Sequence, residues 1–259
     1  MNPRLKEGIR NLLPRSIKRH RILGGALHGS LIVTSWHDYP AAILGQTERP
    51  LLEYFASHVL KGETWLDVGA HYGYTAIALC KLVGPSGRVY AFEPMTNTAG
   101  CISRTRLFNQ LTQLTVIPMG LANCDELAVE SLHTTRGMID STLEDTAGFK
   151  ETFLTSRLDW LWPKISGANP QIDGVKIDVQ GMEIQVIEGM ASLLKRYRPR
   201  LFVEIHKGVS RPQLLELIAS LGYLPGGTAV DHLPAKSVAG YADDRSYLFT
   251  SAYADPNQR

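Results

Sequence analysis

With 259 residues, 44% of them hydrophobic, the chain can bury one sizeable core, and a formal net charge of only +2 excludes a surface built throughout for polyanions. Cys80, Cys101 and Cys124 are the three cysteines; their wide, motif-free spacing excludes a disulfide framework or a thiolate metal centre and predicts a reducing, cytoplasmic setting. No apolar stretch follows the basic start and no run of about 18 mainly apolar residues appears, so neither a signal peptide nor a membrane-spanning helix is expected.

Residues 1–62 read as a basic lead-in and cap. Arg4, Lys6, Arg10, Arg15, Lys18, Arg19 and Arg21 crowd its start against Glu7 alone, which suits a solvated extension or a weak peripheral contact with an acidic surface. Within it Leu31-Ile32-Val33 predicts a short strand, and Arg49 to Leu60 an apolar-periodic helix. From 63 to 259 a single globular domain is expected, with no repeat or linker to divide it. Thr64 to Val68, Arg88 to Phe92, Leu114 to Ile117, Asp173 to Ile177 and Arg200 to Ile205 predict strands. Helices are predicted between them, over Tyr74 to Leu79, Thr96 to Phe108, Met182 to Arg196 and Pro212 to Leu221. This alternation predicts an α/β fold with a mostly parallel, doubly wound sheet. Gly222-Tyr223-Leu224 and Tyr247-Leu248-Phe249, separated by loop signals, predict a terminal antiparallel hairpin.

The stretch Asp67-Val68-Gly69-Ala70-His71-Tyr72-Gly73 joins the first of these strands to its helix. Gly69 permits a sharp exit, Gly73 a close approach, and the helix start offers backbone N–H groups. Ligands of open α/β sheets bind outside the strand carboxyl ends, where this turn falls. Glu93 follows Gly73 by 20 residues, at the end of the next strand, where an acidic side chain accepts from ribose hydroxyls. A nucleoside cofactor is therefore expected. A dinucleotide is disfavoured, because Ala70, His71 and Tyr72 replace the second close-approach glycine of a pyrophosphate cradle. Asp67 would repel phosphate and suit an ammonium, which points to S-adenosylmethionine.

Asp67-Val68-Gly69-Ala70-His71-Tyr72-Gly73, Val89-Tyr90-Ala91-Phe92-Glu93-Pro94, Lys176 to Glu183 and Arg198 to His206 follow one another as in FkbM-type methyltransferases, which the chain resembles over about Gly45 to Lys207. Ser156-Arg157-Leu158-Asp159 adds to the likeness. His71 stands where that family more often has Asn, and Gln180 where it usually has Glu. The resemblance implies a seven-stranded Rossmann-like sheet and methyl transfer from S-adenosylmethionine, usually to a hydroxyl of a sugar, polyketide or other small metabolite. The cofactor-binding set expected is Asp67, Gly69, Ala70, His71, Gly73, Glu93 and, from the stretch Arg136 to Thr142, Ser141 near the adenine. A homodimer is compatible with the sequence.

Side chains two apart on a strand share a face, so Lys176 points with Asp178, and Phe202 with Glu204 and His206. If these strands are neighbours, Lys176 and Glu204 are expected to form a structural ion pair deep in the sheet. Asp178 and His206, nearer the carboxyl edge, are the expected catalytic residues, with His206 as general base and Asp178 orienting it. A divalent metal on Asp178, Glu204 and His206 ranks below this, because Glu204 would have to serve Lys176 as well. Met182, Val186, Met190 and Leu194 read as a core stripe. Trp160 and Trp162 suit either an acceptor wall or a hydrophobic corner. A nucleic-acid methyltransferase and a non-catalytic cofactor-binding scaffold are the alternatives; the first lacks both a base-methylation signature and a broad basic excess.

Overall fold

The structure, a computed structural model, describes residues 10–135, 138–139, 149–168, 170–231, 241 and 244–253. Strands β1 (Lys18–Arg21) and β2 (Leu31–Thr34) form an antiparallel hairpin. β2 is tied to the helix Thr96–Phe108: Thr105 Oγ1 accepts from Val33 N at 2.9 Å, and Asn109, just past that helix, accepts from Leu31 N at 2.8 Å. Two helices, Pro40–Leu44 and Arg49–His58, lead to β3 (Thr64–Val68).

β3 is followed by β4 (Arg88–Phe92), β5 (Leu114–Ile117), β6 (Gly120–Leu121), β7 (Leu127–Thr135), β8 (Met138–Ile139) and β9 (Phe149–Ser156). Then come β10 (Gly174–Ile177), β11 (Arg200–Ile205), β12 (Thr228–Ala229) and β13 (Arg245–Phe249). The central sheet has seven strands in the order β12, β13, β11, β10, β3, β4, β5, with β3, β4, β5, β10 and β11 parallel and β13 antiparallel to its neighbours. Chain order reverses between β3 and β10, which opens a crevice at their carboxyl ends.

The strands are apolar because both faces are covered. Trp65 and Phe202 pack with Phe55 and Ile77 on one face; Leu66, Val68, Ile177 and Val203 pack with Val186 and Ile187 on the other. The helix Tyr74–Val83 is buried almost all round, between the sheet and the N-terminal region, which accounts for its small, polar-poor sequence.

Three elements differ from expectation. Strands β6, β9, β7 and β8 form a second sheet in that order, where the sequence predicts none. The helix expected over Met182 to Arg196 is two, Glu183–Gly189 and Ala191–Tyr197. The break has two physical causes. A side chain on Gly189 would come within 2.1 Å of the Ala122 carbonyl, so backbones meet there. Asp159 then caps the second helix, accepting from Ser192 N and Leu193 N at 3.0 Å each. Finally, the terminal hairpin pairs β12 with β13, while Gly222 to Leu224 contributes only a single bridge, Tyr223 to Ser251. Trp162 fills a corner against Tyr90 and donates to the Pro170 carbonyl at 2.7 Å. Val186, Met190 and Leu194 are core, whereas Met182 faces the cavity described below. Among the described residues, no helix is long and apolar enough to cross a membrane.

Candidate active site

The β3 turn is shaped by what it must avoid. Gly69 has φ 80°, and a Cβ there would lie 1.8 Å from the Asp178 carbonyl oxygen, so no side chain fits. Gly73, at φ 82°, faces Ile102 instead and does not line the cavity. The turn is also largely closed to phosphate. Gly69 N and Ala70 N both donate to the Phe92 carbonyl at 3.0 Å, Gly73 N to Ala70 O at 2.7 Å, and His71 N to Glu93 Oε2 at 2.7 Å. Four donors that the sequence left open to a ligand are therefore already used.

Glu93 is 4% exposed and holds three donors: His71 N, Met95 N at 3.0 Å and Thr98 Oγ1 at 2.8 Å. Burial outweighs these bonds and pushes its carboxyl up to about 7. Asp67 is fully buried beneath the cavity. It accepts from Thr75 Oγ1 at 2.6 Å and faces Lys176 Nζ at 3.5 Å, so it acts on the site through these two side chains, both of which line the cavity.

Lys176 does not pair with Glu204 as expected. Its ammonium lies between Asp178 Oδ2 at 3.1 Å and Asp67 Oδ1 at 3.5 Å, because the strand register sets it level with Asp67 on β3. Burial disfavours the ammonium, but Asp178 and Asp67 outweigh it and hold the group charged, well above its usual range. Glu204 instead accepts from Ser246 Oγ at 3.3 Å. Burial and the like charges of Asp178 and Glu48 push Glu204 up to about 8.

His206, 6% exposed, is held from both ends. Its Nδ1 lies 2.6 Å from Glu183 Oε1, and its Nε2 lies 3.0 Å from Gln180 Nε2, 3.4 Å from Asp178 Oδ1 and 3.7 Å from Glu204 Oε1. Burial would lower its pKa, but the Glu183 hydrogen bond and the Asp178 and Glu204 charges raise it to about 9. Asp178 shifts the other way: burial would raise it, yet Lys176 and His206 lower it. Glu183 escaped the sequence reading; the signal for it was its place three residues after Gln180, at the start of a helix facing β11.

Most of these groups border one cavity of about 310 Å³, whereas Asp67, Glu183 and His206 lie behind its lining. Gly69, Ala70, His71 and Glu93 line one end; Lys176, Asp178, Gln180 and Glu204 line the other. Asp38, Tyr39 and Glu48 from the N-terminal segment add a wall, and Phe153 and Thr155 from the second sheet a roof. Thr155 Oγ1 is buried there with no hydrogen-bond partner among the described residues. Of the six non-glycine residues with positive φ among the described residues, three (Glu48, His71 and Gln180) line this cavity, a concentration of strain typical of binding sites. Ser141 lies outside the described residues.

Residues 67–225, more than half of the chain, match the family described as the methyltransferase FkbM domain. Among solved structures, the chain is similar to precorrin-6y C5,15-methyltransferase from Geobacter metallireducens, at 15% identity and TM-score 0.46, covering 79% of this chain and 89% of that one. It is also similar to the FkbM methyltransferase from Methylobacillus flagellatus, at 14% identity and TM-score 0.46, covering 81% and 52%. A third is the O-methyltransferase TomG from Streptomyces achromogenes, at 13% identity and TM-score 0.46, covering 78% of each. No curated protein matches the sequence.

Proposed function

Because the chain belongs to the FkbM methyltransferase family, with S-adenosylmethionine as its cofactor, we propose that it methylates a hydroxyl oxygen of a small metabolite, saccharide or polyketide. The supporting observation is that a single cavity joins Glu93 to Asp178 and Glu204, behind which His206 lies. In this reading Glu93 accepts from the ribose hydroxyls, and Thr155 Oγ1 meets the adenine. The carboxylates around Lys176 draw the cofactor's ammonium and sulfonium into place.

Asp178 and His206 then receive the acceptor. An acceptor oxygen lone pair forms the new C–O bond as the S–CH3 bond breaks, and its electron pair stays on sulfur as a neutral thioether. The acceptor's proton passes to His206 in its neutral form, which the raised pKa of about 9 makes the minor form at neutral pH, and onward to solvent. Much of the rate comes from holding oxygen, carbon and sulfur in line.

Calorimetry with S-adenosylmethionine, followed by turnover of methyl-labelled cofactor across a panel of hydroxylated acceptors, tests the reading. His206→Ala is expected to bind cofactor normally and to lose at least about a hundredfold in turnover. Full turnover by that variant would refute the acceptor-end assignment, and failure of the native protein to bind cofactor would refute the whole reading.

A further inference from the structure

We propose that Asp178, Glu204 and His206 form a divalent-cation site at the acceptor end of the cavity. Each offers one ligand atom, and the three atoms lie within 4.8 Å of one another. His206 Nε2 is 3.4 Å from Asp178 Oδ1 and 3.7 Å from Glu204 Oε1. A cation about 2.1–2.4 Å from each ligand sets adjacent ligands about 3.0–3.4 Å apart, so the trio encloses an ion after small side-chain movements.

The surroundings are arranged as a metal-binding imidazole requires. Ligating histidines donate their second ring N–H to a carboxylate, which fixes the tautomer and aims the other nitrogen. Glu183, fully buried, takes that position on Nδ1 at 2.6 Å, so Nε2 is the ring nitrogen that faces the two carboxylates. Asp178 divides its oxygens: Oδ2 serves Lys176 at 3.1 Å, and Oδ1 is the oxygen turned to His206. Glu204 has no lysine or arginine within ion-pair distance among the described residues, because Asp67 and Asp178 take Lys176. A carboxylate pair served by one ammonium leaves negative charge for a cation to neutralise.

Gln180 completes the set. Its amide lies 3.0 Å from His206 Nε2, and turned over it presents an oxygen to the same point. Glutamine at this position adds a neutral oxygen donor without a further charge. Two carboxylates, one imidazole and one amide oxygen make an oxygen-dominated donor set of the kind that holds Mn2+ and other hard divalent cations. The cluster opens to the cavity, so remaining positions face the acceptor. The consequence for catalysis rests on the methyl-transfer reading: an acceptor oxygen on the cation would lose its proton more easily.

The full-length protein, stripped by chelation and free of cofactor, is titrated with Mn2+ by calorimetry. Pulsed electron paramagnetic resonance of the native complex then reports bound nitrogen. One site per chain with a nitrogen hyperfine coupling is expected. Glu204→Gln is expected to abolish it, and Glu183→Gln to weaken it about 10–100-fold. Absence of Mn2+ binding, or binding without nitrogen coupling, would overturn the site, and the native-protein spectrum decides even if a variant fails to fold. S-adenosylmethionine titrated into the stripped protein separates the two readings. Cofactor binding without Mn2+ binding removes the cation site alone; Mn2+ binding without cofactor binding removes methyl transfer and leaves the cation site.

Discussion

Replacing Glu93 by Gln probes the donor end of the cavity through charge, with shape nearly unchanged. The native carboxyl, 4% exposed, is raised by burial from an ordinary 4.5 to about 7. Its folded pKa lies above its unfolded one, so stability is lost as pH rises from about 4.5 to 7 and the loss is constant above that. The shift corresponds to about 3 kcal/mol of cost for the ionised form. In the proposed reading, ribose hydroxyls donate to the carboxylate and favour that form. Cofactor affinity is therefore expected to rise toward tenfold per pH unit below 7 and to level off above it. Glutamine removes the ionisation but turns an NH2 group toward one of the three donors, His71 N, Met95 N or Thr98 Oγ1, at roughly 1–3 kcal/mol. The two effects nearly cancel above pH 7, so the variant should melt close to the native protein at pH 8 and below it at pH 5. Losing two charge-assisted bonds to ribose should weaken cofactor binding by at least about tenfold and flatten its pH profile. Calorimetric titration between pH 5.5 and 8.5, with melting curves alongside, measures both. A native dissociation constant that does not change with pH, or a variant that binds as tightly as the native protein, would refute the argument.

Lys176→Met leaves Asp67 and Asp178 facing each other without their shared ammonium, and a loss of roughly 3–5 kcal/mol in denaturant unfolding is expected; a loss under about 1 kcal/mol would contradict the ion-pair assignment. Gly69→Ala combines left-handed strain with a Cβ 1.8 Å from the Asp178 oxygen, so roughly 2–5 kcal/mol of stability should go, and cofactor affinity with it; an unchanged unfolding midpoint would show that the turn yields.

Much of the central architecture was legible because it is written in burial. β3, β4, β10 and β11 are covered on both faces, so their runs of Val, Ile, Leu and Phe admit little else, and a glycine that can carry no Cβ marks the turn. The second sheet was not legible. Leu127, Val129 and Leu154 lie on its exposed face, so the alternation that marks a half-buried strand is blurred by apolar residues in solvent. The helix break at Met190 depends on a backbone contact with Ala122 and a cap from Asp159, both remote in sequence. The partner of Lys176 was misread for a related reason: alternation tells which side chains share a face, but register across three strands decides which of them touch. Glu183 and Asp38 belong to the same class, being polar residues whose surroundings only the assembled chain supplies.

The hydrogen bonds within the β3 turn bear on competition inside a cell. Adenosine phosphates share their nucleoside with the cofactor and are abundant. At Gly69, Ala70, His71 and Gly73 a triphosphate tail would find backbone donors already satisfied by Phe92, Glu93 and Ala70. It would also meet carboxylates instead of an N–H cradle. If the turn holds the cofactor as proposed, it would discriminate by refusal: it would admit the adenosine and reject the anion, so that the ground-state geometry of the protein would keep the wrong nucleotide out before any chemistry begins.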